Sequence, residues 1–364
     1  MTQAKASPGA RYLYMDFLRV VACFGVIVNH TNSHVFQAEA PGSLTWTLSI
    51  LWYYLSKTAV PLFVMVSGAC LLPRQDSYRR VGQRISRMLL ALVLFSYFYH
   101  LFDLWKTYWT WERALNLGGF LGSIWQERVT DSFWYLYFYL GLLVMLPLLQ
   151  RLARAMKQKD YHYLLAISLG CNALWPLLTH YVPGLAFPPY FDLPLFSIYI
   201  GLFFLGHYLH TYGFPVKRQG LACGATMALA LGFSAFLTLL EAQSSPPGTK
   251  YWFMDDRMTP ALPVILCAAA VMLLARRAFA PSEQSKSALP PWAVRALTAL
   301  GSYAFSIYLL QDWLIAETRY RLFVPLCAVV NPFMAALLWE LFVFAALLPA
   351  AWLLKRMPGL RKIV

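Results

Sequence analysis

Charged side chains are scarce in this sequence: Asp, Glu, Lys and Arg make up 13% of it, against about 25% in an ordinary soluble domain. That scarcity excludes a soluble globular enzyme. Cysteine is sparse and scattered. Cys23, Cys70, Cys171, Cys223, Cys267 and Cys327 stand singly, with no CxxC or other ligand spacing, so they read as small apolar residues and not as a metal or disulfide framework. No stretch is long and polar enough to form a soluble domain. No internal repeat is visible, which counts against a transporter built from inverted repeats. No small-residue cleavage site follows the first apolar run, so that run reads as a retained helix and not as a signal peptide.

Apolar residues fill the gap. They are 59% of the chain, and the mean hydropathy is +0.53, values of a polytopic membrane protein. Runs of about 20 mostly apolar residues fall near residues 12–33, 49–72, 85–104, 132–150, 162–180, 194–212, 219–240, 259–278, 296–316 and 332–354. The expected fold is an all-α membrane helix bundle of about ten transmembrane helices, one integral-membrane domain spanning residues 1–364. With both termini cytoplasmic, 21 Lys and Arg lie inside and seven outside, Arg19 and Lys57 falling within spans. The positive-inside rule therefore sets the orientation. The net charge of +14 reads as this topogenic signal and as attraction to anionic lipid headgroups; nothing suggests nucleic acid as a partner. The connection 105–131, with Trp105, Tyr108, Trp109, Trp111 and Trp125, suits the outer membrane interface, as do Trp46 and Trp52.

The first span, MDFLRVVACFGVIVNH, carries Asp16, Arg19 and His30 in an otherwise apolar run. Arg19 and His30 are eleven residues apart, three turns plus about 20°, so they share one helix stripe about 16 Å long. Asp16 lies one turn before Arg19, where it can hold the guanidinium. A polar stripe on a membrane helix faces protein or an aqueous cavity, not lipid. Arginine suits a phosphate or pyrophosphate at the cytoplasmic end; histidine suits proton abstraction near the other. Two structural alternatives stand beside these roles: His30 as an interhelical hydrogen bonder, and Arg19 snorkelling to the inner headgroups. His34 follows His30 by four residues, but no carboxylate or thiol cluster nearby supports a metal site, and none is expected. His207 and His210, at the inner end of the sixth span, read as ordinary surface histidines.

Four motifs in order then resemble acyltransferase family 3, the integral-membrane acyltransferases. They are DFLRVVACFGVIVNHT around Arg19 and His30, KTAVPLFVMVSGACLL from Lys57, SFWYLYFYLGLLVMLPLL over 132–149, and SYAFSIYLLQDW over 302–313. Within the family the likeness is to O-acyltransferases of surface polysaccharides, that of enterobacterial common antigen among them. The resemblance implies transfer of an acyl group, commonly acetyl, from acetyl-CoA or another acyl-CoA to a hydroxyl of a surface polysaccharide or lipid-linked glycan, in the bacterial inner membrane. It gives His30 the essential histidine's place and Arg19 that of its partner. Arg79, Arg80, Arg84 and Arg87 match the family's basic run. They form a patch able to receive the phosphates of CoA, or serve as the positive-inside signal alone.

Lys57 is the candidate for stabilising a developing oxyanion, or else it snorkels outward. Ser67, with Gly68, lies deeper; close helix packing is the readier reading, with a place in substrate binding beside it. One departure stands out. Where relatives carry a histidine after IYL, this chain has Gln311 and then Asp312, and a glutamine cannot act as a base. The proton-transfer role therefore falls on His30, with Asp312 or Glu317 as candidates to orient it. The rival from another class is a multispan exporter of an anionic or acylated solute, with Arg19 and Lys57 as counter-charges.

Overall fold

Hydrocarbon offers no partner to a backbone amide, so an apolar run that spans a membrane must close its hydrogen bonds within itself. The computed structural model describes residues 12–126, 129–185, 197–244, 261–279 and 289–364, and among these residues it is helical with no strand. Lys5, Arg11, Arg128, Lys250, Arg257 and Lys286 of the charge count, and the starts of the sixth and eighth expected spans, lie outside the described residues.

In chain order the helices are α1 (Leu13–Thr31), α2 (Ser33–Phe36), α3 (Leu44–Ser56), α4 (Ala59–Leu71), α5 (Tyr78–Thr107), α6 (Trp111–Leu115), α7 (Leu117–Gln126) and α8 (Trp134–Ala155). There follow α9 (Gln158–Leu169), α10 (Trp175–Tyr181), α11 (Ile198–Thr211), α12 (Gln219–Ser244) and α13 (Leu262–Ala278). The chain ends with α14 (Pro291–Thr318), α15 (Val324–Cys327) and α16 (Pro332–Arg356). Side chains start several of them: Ser77 Oγ accepts from Arg80 N before α5, and Asn331 Oδ1 from Phe333 N before α16, each filling an orphan donor of a first turn.

Among the described residues, seven helical runs are long and apolar enough to cross a membrane: Leu13–Phe36, Leu44–Leu71, Tyr78–Thr107, Asp131–Ala155, Gln219–Ser244, Pro291–Cys327 and Pro332–Arg356. The chain is thus an all-α polytopic bundle. The other three expected spans are helical in place but fall outside that set. One, α9 to α10, is joined through a π-helical turn at Gly170–Leu174; α11 and α13 have 14 and 17 described residues. The second expected span is not one helix: Lys57 and Thr58 form a turn that divides α3 from α4.

Helix α4 sits at the centre, packed on α1, α11 and α13, while α1 also lies along α14. The α4–α11 contact depends on two glycines. A Cβ at Gly68 would overlap the Phe203 backbone, and one at Gly206 would overlap that of Met65. Gly68→Val is therefore expected to lower the midpoint of thermal unfolding in detergent sharply, an overpacking penalty of about 3 kcal/mol or more. Gly82→Ala on α5, where a Cβ meets nothing, should leave the midpoint unchanged or raise it slightly.

Candidate active site

The polar stripe of α1 is divided between two environments. Asp16 is fully buried against Gly301 of α14 and accepts a 2.8 Å hydrogen bond from Arg19 Nη1. Arg19 Nη2 lies 3.5 Å from Cys70 Sγ on α4, and about a third of the arginine side chain stays accessible. A buried carboxylate left alone would destabilise the bundle; held by the guanidinium, it also fixes that group's direction.

At the opposite end, α1 stops at Thr31, and Asn32 turns the chain into α2. Asn32 Nδ2 donates to Ser49 O at 2.6 Å, and Ser49 Oγ to Asn32 Oδ1 at 3.0 Å, which ties this turn to α3. The Thr31 hydroxyl donates to Glu340 Oε1 at 3.0 Å and Trp52 Nε1 to Glu340 Oε2 at 2.9 Å. A single buried acid thereby joins α16 to both α1 and α3. The Lys57–Thr58 turn rests on α1 where Gly25 admits it, with the Ala59 Cβ 3.1 Å and Ser56 O 3.3 Å from the Cβ position that Gly25 lacks.

These turns enclose a cavity of about 470 Å³ lined by His30 and Lys57, together with Asn29, His34, Asp131, Ser132 and an aromatic wall of Tyr53, Trp134, Tyr135, Tyr199 and Tyr308. The Lys57 ammonium lies 4.9 Å from the Tyr53 ring centre. The first turn of α4 also faces the cavity through Ala59, Val60 and Pro61; its partial positive charge adds to that of Lys57. The wall segment before α8 is pinned from α14. Asp312 Oδ2 accepts from Thr130 Oγ1 (2.6 Å), Ser132 N (3.2 Å) and Ser132 Oγ (2.6 Å), and Tyr308 OH donates to Ser132 O at 2.5 Å.

Of the residues singled out in the sequence, the structure brings His30 and Lys57 to one cavity. Asp16, Arg19, Ser67 and Gln311 do not line it. Gln311 is fully buried, and neither side-chain polar atom has a hydrogen-bond partner. Ser67 neighbours Tyr135 and Tyr139 of α8. In the basic run, Asp76 takes Arg80 at 3.4 Å and Arg84 at 3.3 Å, while Arg79 and Arg87 are exposed.

Asp312 holds the cavity wall, and Glu317 pairs with Lys106 and Arg321; neither lines the cavity with His30. His210 is half-buried with its Nδ1 2.6 Å from Tyr14 OH, and His207 is half-buried near Tyr161, so neither is a surface histidine. Trp46 is buried and Trp52 is engaged with Glu340, whereas Trp105, Trp109, Trp111 and Trp125 are exposed as an interfacial group would be. Among the described residues, no three His, Cys, Asp or Glu side chains come together to hold a metal ion.

Glu340, Ser132, Tyr199 and Tyr308 went unremarked in the sequence reading. Glu340 had a legible signal, a lone acid in an apolar span. The others are assembled by tertiary packing.

The family comparison gives this bundle its class, the membrane acyltransferases. The sequence matches the family described as an acyltransferase domain over residues 12–356, nearly its whole length, and the chain belongs to that family. No curated protein and no solved structure matches it.

Asp312→Ala strands three donors at the cavity wall and is expected to destabilise the fold by about 2–4 kcal/mol. Asp312→Asn keeps one acceptor and should fall between parent and Ala. Thermal unfolding of the three proteins checks the order; equal midpoints would remove Asp312 from the wall's support.

Proposed function

We propose that the chain moves an acyl group, acetyl in the first instance, from cytoplasmic acyl-CoA to a hydroxyl of a surface polysaccharide or lipid-linked glycan, with His30 as general base. The observation that carries the reading is that His30 and Lys57 meet at one aromatic-walled cavity. Tyrosine and tryptophan faces at that cavity suit the apolar faces of a sugar ring, and such rings also carry polar edges for its hydroxyls.

In the reaction, His30 takes the proton of the acceptor hydroxyl as its oxygen attacks the thioester carbonyl. Negative charge grows on the carbonyl oxygen, where Lys57 and the first turn of α4 stabilise it. The carbon–sulfur bond then breaks, and the proton on His30 goes to the departing CoA thiolate. Acyl transfer first to His30 and then to the acceptor is the covalent variant of the same scheme. Arg19 and the exposed Arg79 and Arg87 supply cationic partners for the donor's phosphates at the basic end. The orientation rests on the positive-inside count, which puts the basic end in the cytoplasm and the cavity toward the outside of a bacterial inner membrane.

The exporter reading keeps one observation in its favour, because a helix broken beside a lysine at Lys57–Thr58 also occurs at transporter binding sites. Release of CoA from labelled acetyl-CoA in proteoliposomes separates the two. His30→Ala is expected to reduce release by about 10²-fold or more, the scale of a lost general base, with donor binding retained. Arg19→Ala should weaken donor binding, and Lys57→Met should reduce kcat more than it changes KM. A parent that moves solute and never cleaves the thioester would favour the exporter.

A further inference from the structure

Helix α4 is the most enclosed span of the bundle, yet it is not closed all round. Between Ala59 and Leu72 every residue is buried except Val60, Phe63, Ser67 and Cys70. Their spacing of three, four and three residues places them on one stripe. α4 is packed on α1, α11 and α13, and its stripe meets α8 where the Phe63 and Tyr135 ring centres lie 6.1 Å apart.

The two ends of the stripe have different neighbours. Val60 and Phe63 line the His30 cavity, whereas the Cys70 thiol lies 3.5 Å from Arg19, about 10–15 Å further along at the helical rise per residue. Opposite stand Tyr135 and Tyr139 of α8, one turn apart with rings stacked at 5.9 Å, both half-buried. Tyr135 lines the cavity, Tyr139 lies within electrostatic reach of Arg19 and Arg84, and Ser67 neighbours both tyrosines.

We infer that this stripe is the passage through which the acyl-bearing arm of the donor threads from the basic end to His30, with Ser67 and the Tyr135 and Tyr139 hydroxyls as its polar contacts. The inference rests on the acyl-CoA reading above and names the residues that reading lacks between Arg19 and His30. The ligand it fits is slender, uncharged and amide-bearing. Three hydroxyls in an otherwise apolar bore can donate to and accept from amides, and no charged side chain lies between Arg19 and the cavity on this stripe. Tyr135 and Tyr139 are positioning residues here, and Phe63 and Tyr135 at the cavity end are placed to limit the length of the acyl group.

The test is thiol labelling in vesicles that expose the basic end, using a small uncharged methanethiosulfonate. Ser67→Cys is expected to take up label beyond the parent with its native cysteines, and coenzyme A should protect it severalfold. Val66→Cys, one residue off the stripe, should gain none. Ser67→Ala and Tyr139→Phe should each raise the KM for acetyl-CoA about fivefold, the scale of one hydrogen bond, with kcat changed less. Equal labelling of the two cysteine variants, no labelling of Ser67→Cys, or labelling that coenzyme A leaves unaltered overturns the passage. Turnover in the same vesicles separates the failures: a parent that cleaves acetyl-CoA with Ser67→Cys unlabelled sinks the passage and leaves acyl transfer standing. A parent that cannot cleave it sinks the acyltransferase scheme itself.

Discussion

In an apolar bundle a polar side chain finds its partner within the protein or destabilises it by several kcal/mol, and three carboxylates organise this one accordingly. Asp16 holds Arg19 within α1. Glu340 gathers Thr31 and Trp52, joining the last span to the end of the first and to α3. Asp312 gathers Thr130 and Ser132 and so sets the wall before α8. The last two join elements distant in sequence, at the end of the bundle where the cavity holds His30. The walls are therefore held by hydrogen bonds to carboxyl groups, which are directional in a way that apolar packing is not.

The cavity itself exists because two spans fail to run straight. α1 gives way to a turn at Asn32, and the second span breaks at Lys57–Thr58. A broken helix exposes orphan amides and carbonyls, tolerable at membrane depth only where protein or an aqueous space receives them. Pro61 in the first turn of α4 removes one of those amides without disturbing the helix. What remains is a helix start and an ammonium group facing one space, a field favourable to developing negative charge.

The spans and the Asp16, Arg19 and His30 stripe were legible in the sequence because both follow from a local period, 3.6 residues per turn in an apolar run. The Arg80 and Arg84 pairing with Asp76 had a local signal in Asp76 and Arg80 four residues apart, although the basic run reads first as free charge. The break at Lys57–Thr58 was not legible. No glycine or proline occupies it, and its place depends on Gly25 of another helix admitting the turn. Nor could Tyr199 and Tyr308 be assigned to the cavity, since a tyrosine on a membrane helix looks the same in sequence whether it lines a space or packs. Gln311 shows the converse: its place after the IYL motif suggested a site, yet it does not line the cavity.

The separation of Arg19 from His30 then acquires a physical meaning. Charged groups at the centre of a membrane are disfavoured by roughly 2.5–3.5 kcal/mol each, so a donor carrying several phosphates does best to leave them at the basic end. Only a neutral arm and its thioester need to advance, and the stripe from Cys70 to Phe63 offers hydroxyls and apolar surface without charge. In the proposed scheme an acceptor sugar at the other end would meet the aromatic faces of the cavity and His30. In that scheme the acyl group, small and uncharged, would be the only part of the donor left on the far side, so the binding energy of the phosphates need not be given up for the chemistry to occur there.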